Sequence, residues 1–310
     1  MPGEDIERLA VLLATYNGAQ FLDDQLRSVA EQDWPHIDVW ASDDGSDDAT
    51  VAILEQWRAR WTKGRFVLLD GPRQGPFANF RALLTQPQID ADFVAFCDQD
   101  DIWVPQKTRV SIAALRGMSG TPALFGSRTV IVDAHDQPIG MSPLFSKPPH
   151  FRNALVQSIC GGNTMTLNRP AFDALRDAAR RSAFVSHDWF AYQLVTAMGG
   201  TATYSADPVV RYRQHKGNFI GSNAGTRARL ARLKLALDGR FVVWTDTNLR
   251  ALQACRAALS DEAVQTMQWF DRARSGSLSS RLSSLRRSGV YRQTVFGQIS
   301  LYLACVLGKM

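Results

Sequence analysis

The stretch FVAFCDQDD, residues 93–101, is a short apolar run that ends in a cluster of carboxylates. An apolar run of this length, rich in Phe and Val, predicts a buried strand. Open α/β sheets bind ligands at the carboxyl ends of their strands, so we expect Asp98, Asp100 and Asp101 at the edge of a site. Carboxylates this close repel one another, and a hard divalent cation such as Mg²⁺ or Mn²⁺ relieves the repulsion. The alternative is a solvated turn after a strand.

Strand and helix patterns alternate along the chain before this stretch. Residues 9–14, 37–41 and 66–69 predict three earlier strands, with helical periodicity between them. The first and third are continuous apolar runs, and the second is apolar apart from Asp38. This βαβαβαβ order predicts a doubly wound, mostly parallel sheet with helices on both faces. Polar clusters follow three of the four strands. These clusters are Thr15–Gly18, Asp43–Ser46 and Asp98–Asp101. Right-handed crossovers bring such strand ends to one rim, where we expect a nucleotide site.

The glycine-rich loops that usually bind phosphates are absent from the sequence, which has neither G-x-G-x-x-G nor G-x-x-x-x-G-K-[ST]. Phosphates would then be held by a metal ion or by basic residues. Asp98 and Asp100, together with Lys107, Arg109 or later residues, would serve. The 310 residues carry a net charge of +5, which fits a phosphorylated substrate, a polyanion or a membrane surface. The four cysteines are scattered and the N-terminus lacks an apolar signal region, so we expect a cytoplasmic protein.

Six short motifs, in this order and at these intervals, give the chain a family resemblance. They are Ala14–Gly18, Ser42–Ser46, Asp98–Asp101, Gly161–Met165, His187–Trp189, and Tyr212–His215 with Asn218. The first three resemble the inverting glycosyltransferases of family 2, which have the Rossmann-like GT-A fold. The longer set is similar to the bacterial branch that builds O-antigen and other surface polysaccharides, notably rhamnosyltransferases. The resemblance covers residues 9 to about 222 and is far more specific for the family than for a sugar.

The resemblance implies a substrate class and a role for each matching residue. The donor would be a dTDP- or UDP-linked sugar, the acceptor a glycan or lipid-linked molecule, and the cofactor Mg²⁺ or Mn²⁺; no nucleic-acid partner is implied. Asp188 would be the catalytic base, and Asp98 and Asp100 would bind the metal. The donor-binding residues would be Thr15, Tyr16, Asn17, Asp43, Asp44, Asp98, Gln214 and His215. The acceptor-side residues would be Gly161, Gly162, Asn163, His187 and Trp189. Which of the two adjacent aspartates, 43 or 44, faces the base stays open.

Other interpretations share parts of this pattern. A sugar-nucleotide pyrophosphorylase also needs a metal and a Rossmann-like sheet, but it would carry a Gly-rich basic loop after the first strand, and Thr15–Gly18 is neither. A phospho-receiver module also has acidic residues at strand ends, but it is far shorter and would leave residues 154–215 unexplained. Asp188 alone would also fit a carboxylate that complements the dipole at the start of a helix.

The sequence predicts a division near residue 222. Residues 1–222 would form the catalytic domain, with a donor half to about 120 and an acceptor half over 121–222. The acceptor half contains a strand over Ala123–Val132 and a Pro-rich loop to Pro149, a candidate acceptor-side flap. Residues 223–310 would form a basic helical extension, whose uncharged run over 293–308 is too short to span a membrane. The extension either lies on the anionic inner face of the plasma membrane or packs on the catalytic domain.

Overall fold

The structure is a computed structural model that describes residues 7–118, 120–215 and 240–310. Nine strands within these ranges form one sheet. They are β1 (Leu9–Thr15), β2 (Ile37–Asp43), β3 (Phe66–Asp70), β4 (Phe93–Asp98), β5 (Ile102–Trp103), β6 (Ala123–Val132), β7 (Pro138–Met141), β8 (Thr166–Asn168) and β9 (Thr201–Arg213). The strands predicted from apolar runs are all present, and β6 has the predicted bounds.

Helices connect the strands and follow the last of them. They are α1 (Leu22–Ala30), α2 (Thr50–Arg60), α3 (Pro76–Leu84), α4 (Lys107–Leu115), α5 (Phe151–Ala154), α6 (Arg169–Arg181), α7 (His187–Ala197), α8 (Arg240–Ala254), α9 (Asp261–Arg274), α10 (Leu278–Ser288) and α11 (Val295–Leu307). A 3-10 turn over Gly162–Thr164 precedes β8, and a second one over Arg256–Ala258 follows α8.

The strands follow one another in space in the order β3-β2-β1-β4-β8-β6-β9-β5, with β7 attached to β6. The four strands from β1 to β4 pair in parallel, which confirms the predicted doubly wound arrangement for this part of the sheet. Beyond β4 the sheet is mixed, since β8 is antiparallel to both of its neighbours and β5 is antiparallel to β9. β5 follows the acidic loop without a crossover helix and lies at the far edge of the sheet.

The register of β1 places the predicted polar clusters side by side. Thr15 at the end of β1 lies opposite Asp43 on β2, and Ala14 lies opposite Asp98 on β4. Parallel strands that end together present their following loops at one edge of a sheet. The three clusters therefore share the rim that the sequence predicted for them.

Alternate residues of β1 enter two separate apolar cores. Leu9, Val11 and Leu13 pack in a core shared with α1, α2 and α4, whereas Ala10 and Leu12 pack in one shared with α3, α6 and α7. Helices therefore cover both faces of the sheet, as predicted. Burial on both faces explains why β1 is a continuous apolar run instead of an alternating pattern.

The C-terminal helices belong to the second of these cores. Phe270 of α9, Leu285 of α10 and Leu301 of α11 are buried in the same cluster as Phe190 of α7. The predicted helical region is thus present and shares buried side chains with the helices that cover the sheet. The proposed division at residue 222 and the first residues of the predicted basic extension lie outside the described residues, so that division stays a prediction.

Candidate active site

A cavity of about 630 Å³ lies at the carboxyl ends of β1, β2 and β4. The loops after β1 to β4, the 3-10 turn before β8, the first turns of α3 and α7, and the end of β9 form its walls. It is lined by Ala14, Thr15, Tyr16, Asp44, Gly45, Arg73, Gly75, Pro76, Phe77, Asn79, Phe80, Asp98, Gln99, Asp100, Gly162, His187, Asp188 and Tyr212. The fold thus brings residues from all three predicted polar clusters together with Asp188, which is remote from them in the sequence.

The loop after β4 brings two carboxylates to this cavity, those of Asp98 and Asp100. Burial raises the pKa of Asp98 to about 7, and the nearby carboxylates of Asp100 and Asp188 contribute to the increase. The raised pKa means that negative charge at Asp98 is poorly compensated by the described part of the chain. A bound cation would compensate it.

We expect Asp98→Asn to stabilise the protein when neither cation nor nucleotide is bound. The pKa of Asp98 is higher in the folded protein than in the unfolded chain, so its ionised form opposes folding. This penalty is absent below about pH 4, grows until about pH 7 and is constant above it. The substitution should therefore raise the Tm at pH 8 by about 2–5 °C and leave it nearly unchanged near pH 4. Scanning calorimetry in EDTA at both pH values measures the effect.

Asp90→Asn is the matched control for this substitution. Asp90 is an exposed carboxylate whose hydrogen bond with Arg169 lowers its pKa, so removing its charge should not raise the Tm. An equal gain in both variants, or an Asp98→Asn protein that melts lower at pH 8, would contradict the interpretation of Asp98 as an uncompensated charge.

Asp101 lies behind the cavity and not in it. Its buried carboxylate accepts hydrogen bonds from Asn163 Nδ2 at 2.7 Å and from the backbone N–H of Arg213 at 3.0 Å. Burial raises the pKa of Asp101 well above its usual value, and Asp100 and Asp98 add to the increase. Asp101 therefore joins the acidic loop to β9 and to the 3-10 turn. Asn163, which was predicted on the acceptor side, contacts this loop and does not line the cavity.

The end of β9 carries Gln214 and His215 to the rear of the acidic loop. This approach depends on β5, which follows the loop directly and pairs with β9. His215 Nε2 lies 2.8 Å from Asp100 Oδ2, so His215 contacts a predicted metal-binding carboxylate. The Gln214 side chain donates to the carbonyl of Arg213 at 3.3 Å. Neither residue lines the cavity, whereas Tyr212 does.

The carboxylate of Asp43 forms hydrogen bonds within the loop after β2 and with the end of β1. It accepts hydrogen bonds from Thr15 Oγ1 at 2.9 Å, from Ser46 Oγ at 2.6 Å and from the Ser46 N–H at 2.8 Å. Asn17 joins the same loop, because its N–H donates to Ser46 Oγ and its Oδ1 accepts the N–H of Asp47. Asp43 and Asn17, both predicted to bind the donor, therefore shape the rim and do not line the cavity.

Asp44, in contrast, lines the cavity and orders the loop after β3. Its two oxygens accept the N–H groups of Arg73 at 2.6 Å and Gly75 at 2.7 Å. Arg73 has a φ of 58°, and its side chain lies over Gly45, where a Cβ would come within 3.0 Å of Arg73 Nε. Among the described residues that line the cavity, Arg73 is the only one with a cationic side chain. Arg73 was not predicted as a site residue, because no motif marks this loop.

Gln99 fixes the loop after β1 from across the cavity rim. Its Oε1 accepts the Tyr16 N–H at 2.8 Å, and its Nε2 donates to the Tyr16 carbonyl at 2.9 Å. Gly18 makes room for this pair, because a Cβ there would overlap Gln99 Oε1. The Tyr16 side chain, 57% exposed, is left at the cavity mouth. The middle residue of the acidic motif thus positions a predicted donor-binding residue.

Helix α7 begins at the cavity with His187 and Asp188. Asp188 Oδ1 accepts the Trp189 N–H at 2.7 Å, and Oδ2 accepts the Gly162 N–H at 3.2 Å. Each oxygen keeps further acceptor capacity, so the carboxylate can still bind a ligand. Trp189 and Gly161, also predicted on the acceptor side, do not line the cavity, and Trp189 instead donates its Nε1–H to the Ala154 carbonyl at 2.7 Å.

The His187 imidazole is buried, and neither of its nitrogens has a hydrogen-bond partner within the described residues. Its ring centroid lies 3.9 Å from that of Phe80 and 4.4 Å from that of Phe96. Gly162 permits this position, since a Cβ there would come within 2.5 Å of His187 Nε2. Burial lowers the pKa of His187 to about 4, against the opposing effect of Asp188. The side chain is therefore a neutral imidazole with one donor and one acceptor left for a ligand.

Lys107 and Arg109 do not reach the cavity, so the prediction that they bind phosphates was wrong. Lys107 is fully buried with its Nζ 3.5 Å from the centroid of the Trp103 ring, and burial lowers its pKa to about 7. Arg109 Nε pairs with an Asp33 oxygen at 2.6 Å. Their helix, α4, packs in the core on the other face of the sheet. Lys107 and Arg109 are close to the acidic loop in sequence, but α4 carries them away from the cavity.

The acidic loop offers part of a cation site. Asp98 and Asp100 supply hard oxygen ligands, and His215 beside Asp100 is a further candidate. Across residues 7–118, 120–215 and 240–310, no three His, Cys, Asp or Glu side chains are gathered closely enough to hold a metal ion by themselves. Mg²⁺ commonly keeps one or two carboxylates and completes its shell with water and substrate phosphate. The residues fit a cation that is held in this shared way.

Comparisons with known proteins agree with this description. The family model for glycosyl transferase family 2 matches residues 10–164. The dTDP-rhamnosyl transferase RfbG of Shigella flexneri is 26% identical over 234 residues, which cover 72% of this chain and 78% of that protein.

Two solved structures share the architecture. S. aureus TarS 1–349 in complex with UDP-GlcNAc aligns with a TM-score of 0.55 at 13% identity, over 91% of this chain and 90% of that one. The mannosyltransferase PcManGT from Pyrobaculum calidifontis, in complex with GDP-Man and Mn²⁺, aligns with a TM-score of 0.53 at 17% identity, over 98% and 86%. At these identities the similarity concerns the fold, and it confirms the predicted GT-A fold.

Proposed function

Because the chain belongs to glycosyl transferase family 2, we propose that it is an inverting enzyme that moves a sugar from a nucleoside-diphosphate donor to a glycan or lipid-linked acceptor in cell-surface polysaccharide synthesis. One observation carries this proposal. The acidic pair Asp98 and Asp100 and the carboxylate of Asp188 line a single cavity. Transfer requires a leaving diphosphate and an attacking hydroxyl to meet in one place, and the cavity offers groups suited to each.

The proposed sugar is L-rhamnose and the proposed nucleotide is dTDP, with UDP as the alternative. The motif set that includes His187–Trp189 and Tyr212–His215 supports this choice, because it resembles rhamnosyltransferases. The similarity to a Shigella protein named as a dTDP-rhamnosyl transferase supports it as well.

Asp44, Tyr16 and Arg73 are the residues we propose to contact the nucleotide. Asp44 lines the cavity and Asp43 does not, so Asp44 is the better candidate for the base. The exposed ring of Tyr16 at the mouth can stack on a base or ribose. The guanidinium of Arg73 supplies positive charge for the diphosphate.

Asp98 and Asp100 are proposed to hold a Mg²⁺ or Mn²⁺ ion together with the donor's phosphates. When bound, such an ion supplies the positive charge that stabilises a departing diphosphate. His215, 2.8 Å from Asp100, orients that carboxylate. Gln214 lies outside the cavity and supports the end of β9.

Asp188 is proposed to take the proton of the acceptor hydroxyl. The hydroxyl oxygen forms a bond to the anomeric carbon of the sugar while the bond from that carbon to the diphosphate breaks. The proton passes to Asp188, and the nucleoside diphosphate leaves with the bonding electrons. One displacement inverts the anomeric centre, so a single base suffices. The neutral imidazole of His187, next to Asp188, is placed to hydrogen bond a sugar hydroxyl.

A panel of nucleotide sugars tests this function. A ligand that binds the folded state raises the Tm by mass action, so the correct donor should give the largest shift in the presence of Mn²⁺. The expected order places dTDP-rhamnose above UDP-GlcNAc and GDP-mannose, and transfer assays with the best donor follow. A response confined to GDP-mannose would overturn the choice of rhamnose, and no response to any nucleoside diphosphate would overturn the function.

The proposed location is the cytoplasm, with peripheral binding to the inner face of the plasma membrane, where lipid-linked acceptors are found. The basic composition of the C-terminal region supports this. No helix in the described part of the chain is long and apolar enough to cross a membrane.

A further inference from the structure

Helix α11 presents an apolar face to solvent. It contains no charged residue, and its inner side is fixed by the buried residues Leu301 and Cys305. The large side chains that are at least 39% exposed on it are Val295, Phe296, Ile299, Tyr302, Leu303, Val306 and Leu307. Spacings of three and four residues place them together on one side of the helix. Apolar side chains gathered on an exposed surface usually mark an interaction site, and no other described residue covers this side.

The segment that contains α11 is basic. Residues 275–310 contain no Asp or Glu, and their basic residues are Arg281, Arg286, Arg287, Arg292 and Lys309. At the start of α11 the side chain of Arg292 lies against Gly297, and at its end Arg281 donates to the Val306 carbonyl at 3.1 Å. An apolar helix face with basic residues at both ends is complementary to an anionic lipid surface.

The segment that enters α11 also holds the Pro-rich loop, residues 142–150. Gln293 Oε1 accepts the Lys147 N–H at 2.9 Å, and Gln293 Nε2 donates to the Lys147 carbonyl at 3.0 Å. The Tyr291 hydroxyl donates to the Pro148 carbonyl at 2.6 Å. The loop is therefore anchored beside α11. It leads directly into α5, whose last residue, Ala154, accepts the hydrogen bond from Trp189 beside Asp188.

We propose that the exposed face of α11 docks the protein on an anionic lipid bilayer, with the helix lying in the membrane interface. Docking there would hold the Pro-rich loop and the start of α7 near the membrane surface, on the side from which a lipid-linked acceptor arrives. This orientation of the acceptor rests on the proposed function, whereas the docking itself does not.

The double variant Ile299→Asp/Leu303→Asp tests the docking. Both side chains are more than half exposed, so their replacement leaves the core intact, whereas deleting α11 would uncover the core around Leu301. Wild-type protein should sediment at low salt with vesicles of phosphatidylglycerol and phosphatidylethanolamine, and less with phosphatidylcholine vesicles. The double variant should bind about tenfold more weakly or worse. Val51→Asp, at an exposed apolar position on α2, is the control and should bind like the wild type.

Three outcomes would overturn the docking proposal. They are a wild-type protein that does not sediment with anionic vesicles at low salt, a double variant that binds as well as the wild type, and a wild-type dimer that becomes monomeric in the double variant without vesicle binding. The last result would assign the face to a second copy of the chain. Melting shifts with nucleoside diphosphate and Mn²⁺ are measured on the same samples. Their absence beside intact vesicle binding would count against the proposed function alone.

Discussion

Replacing Asp188 with asparagine should lower turnover by about 10²–10⁴-fold and leave nucleotide binding nearly unchanged. Asparagine keeps the shape of the side chain and can still accept one of the N–H groups of Gly162 and Trp189. It cannot take a proton from an attacking hydroxyl. A loss in kcat and kcat/KM without a change in nucleotide Kd is the signature of an interaction made in the transition state. Initial rates of sugar transfer and calorimetric titration with nucleoside diphosphate measure the two quantities.

Asp261→Asn separates catalysis from helix stability. Asp261 occupies the first turn of α9, as Asp188 does in α7, but it does not line the cavity. Losing a carboxylate at a helix start costs about 0.3–1 kcal/mol of stability, so this variant should be slightly less stable and fully active. If Asp188→Asn shows the same small loss of stability and normal turnover, Asp188 is a helix-terminal carboxylate and not the base.

Nucleoside diphosphate should raise the Tm clearly only when Mg²⁺ or Mn²⁺ is present, and Asp100→Ala should abolish the cation-dependent part. Arg73 is the one cationic side chain among the described residues of a cavity that also holds Asp44, Asp98, Asp100 and Asp188, so a diphosphate alone meets net negative charge. At a hundredfold excess over Kd, binding adds ~2.7 kcal/mol, which corresponds to a shift of about 5 °C for a chain of this size. Scanning fluorimetry with and without EDTA measures it.

Two further variants make this result specific. Asp90→Ala removes a carboxylate that pairs with Arg169 at the surface, and it should retain the full cation-dependent shift. Asp98→Asn should melt higher than the wild type without ligand and yet respond weakly to cation and nucleotide. Tm shifts of equal size in EDTA and in Mn²⁺ would show that Asp98 and Asp100 do not bind a cation together with the nucleotide.

The strands of the N-terminal half of the sheet could be predicted because each is marked by apolar residues that are close together in the sequence. Residues 9–13 and 37–41 are buried on both faces, so they are apolar apart from Asp38 and stand out in the sequence. Because ligands bind at the carboxyl ends of parallel strands, the position of the site at this edge of the sheet followed. β5 escaped prediction, because Ile102 and Trp103 form a strand only by pairing with Arg211 and Val210 of β9. No local pattern encodes a partner so distant in the chain.

Positions within the site were harder to predict than its location. Asp43 and Asp44 are adjacent, and both are hydrogen bonded to loops, yet only Asp44 lines the cavity. Arg73 reaches the cavity from a loop without a motif, where its backbone adopts a left-handed conformation. Such positions follow from tertiary contacts, which the sequence of a single chain does not reveal.

The shared core of α7, α9, α10 and α11 limits which substitutions and exchanges of helices this chain can accept. Modules joined by a linker can be exchanged whole by recombination. Here Phe190, Phe270 and Leu301 lie in one cluster, so replacing the C-terminal helices would require the helices over the sheet to repack as well. Exposed positions of α11 tolerate change at little cost in stability. If α11 docks on a membrane as we propose, membrane affinity can therefore change one exposed residue at a time without repacking the core.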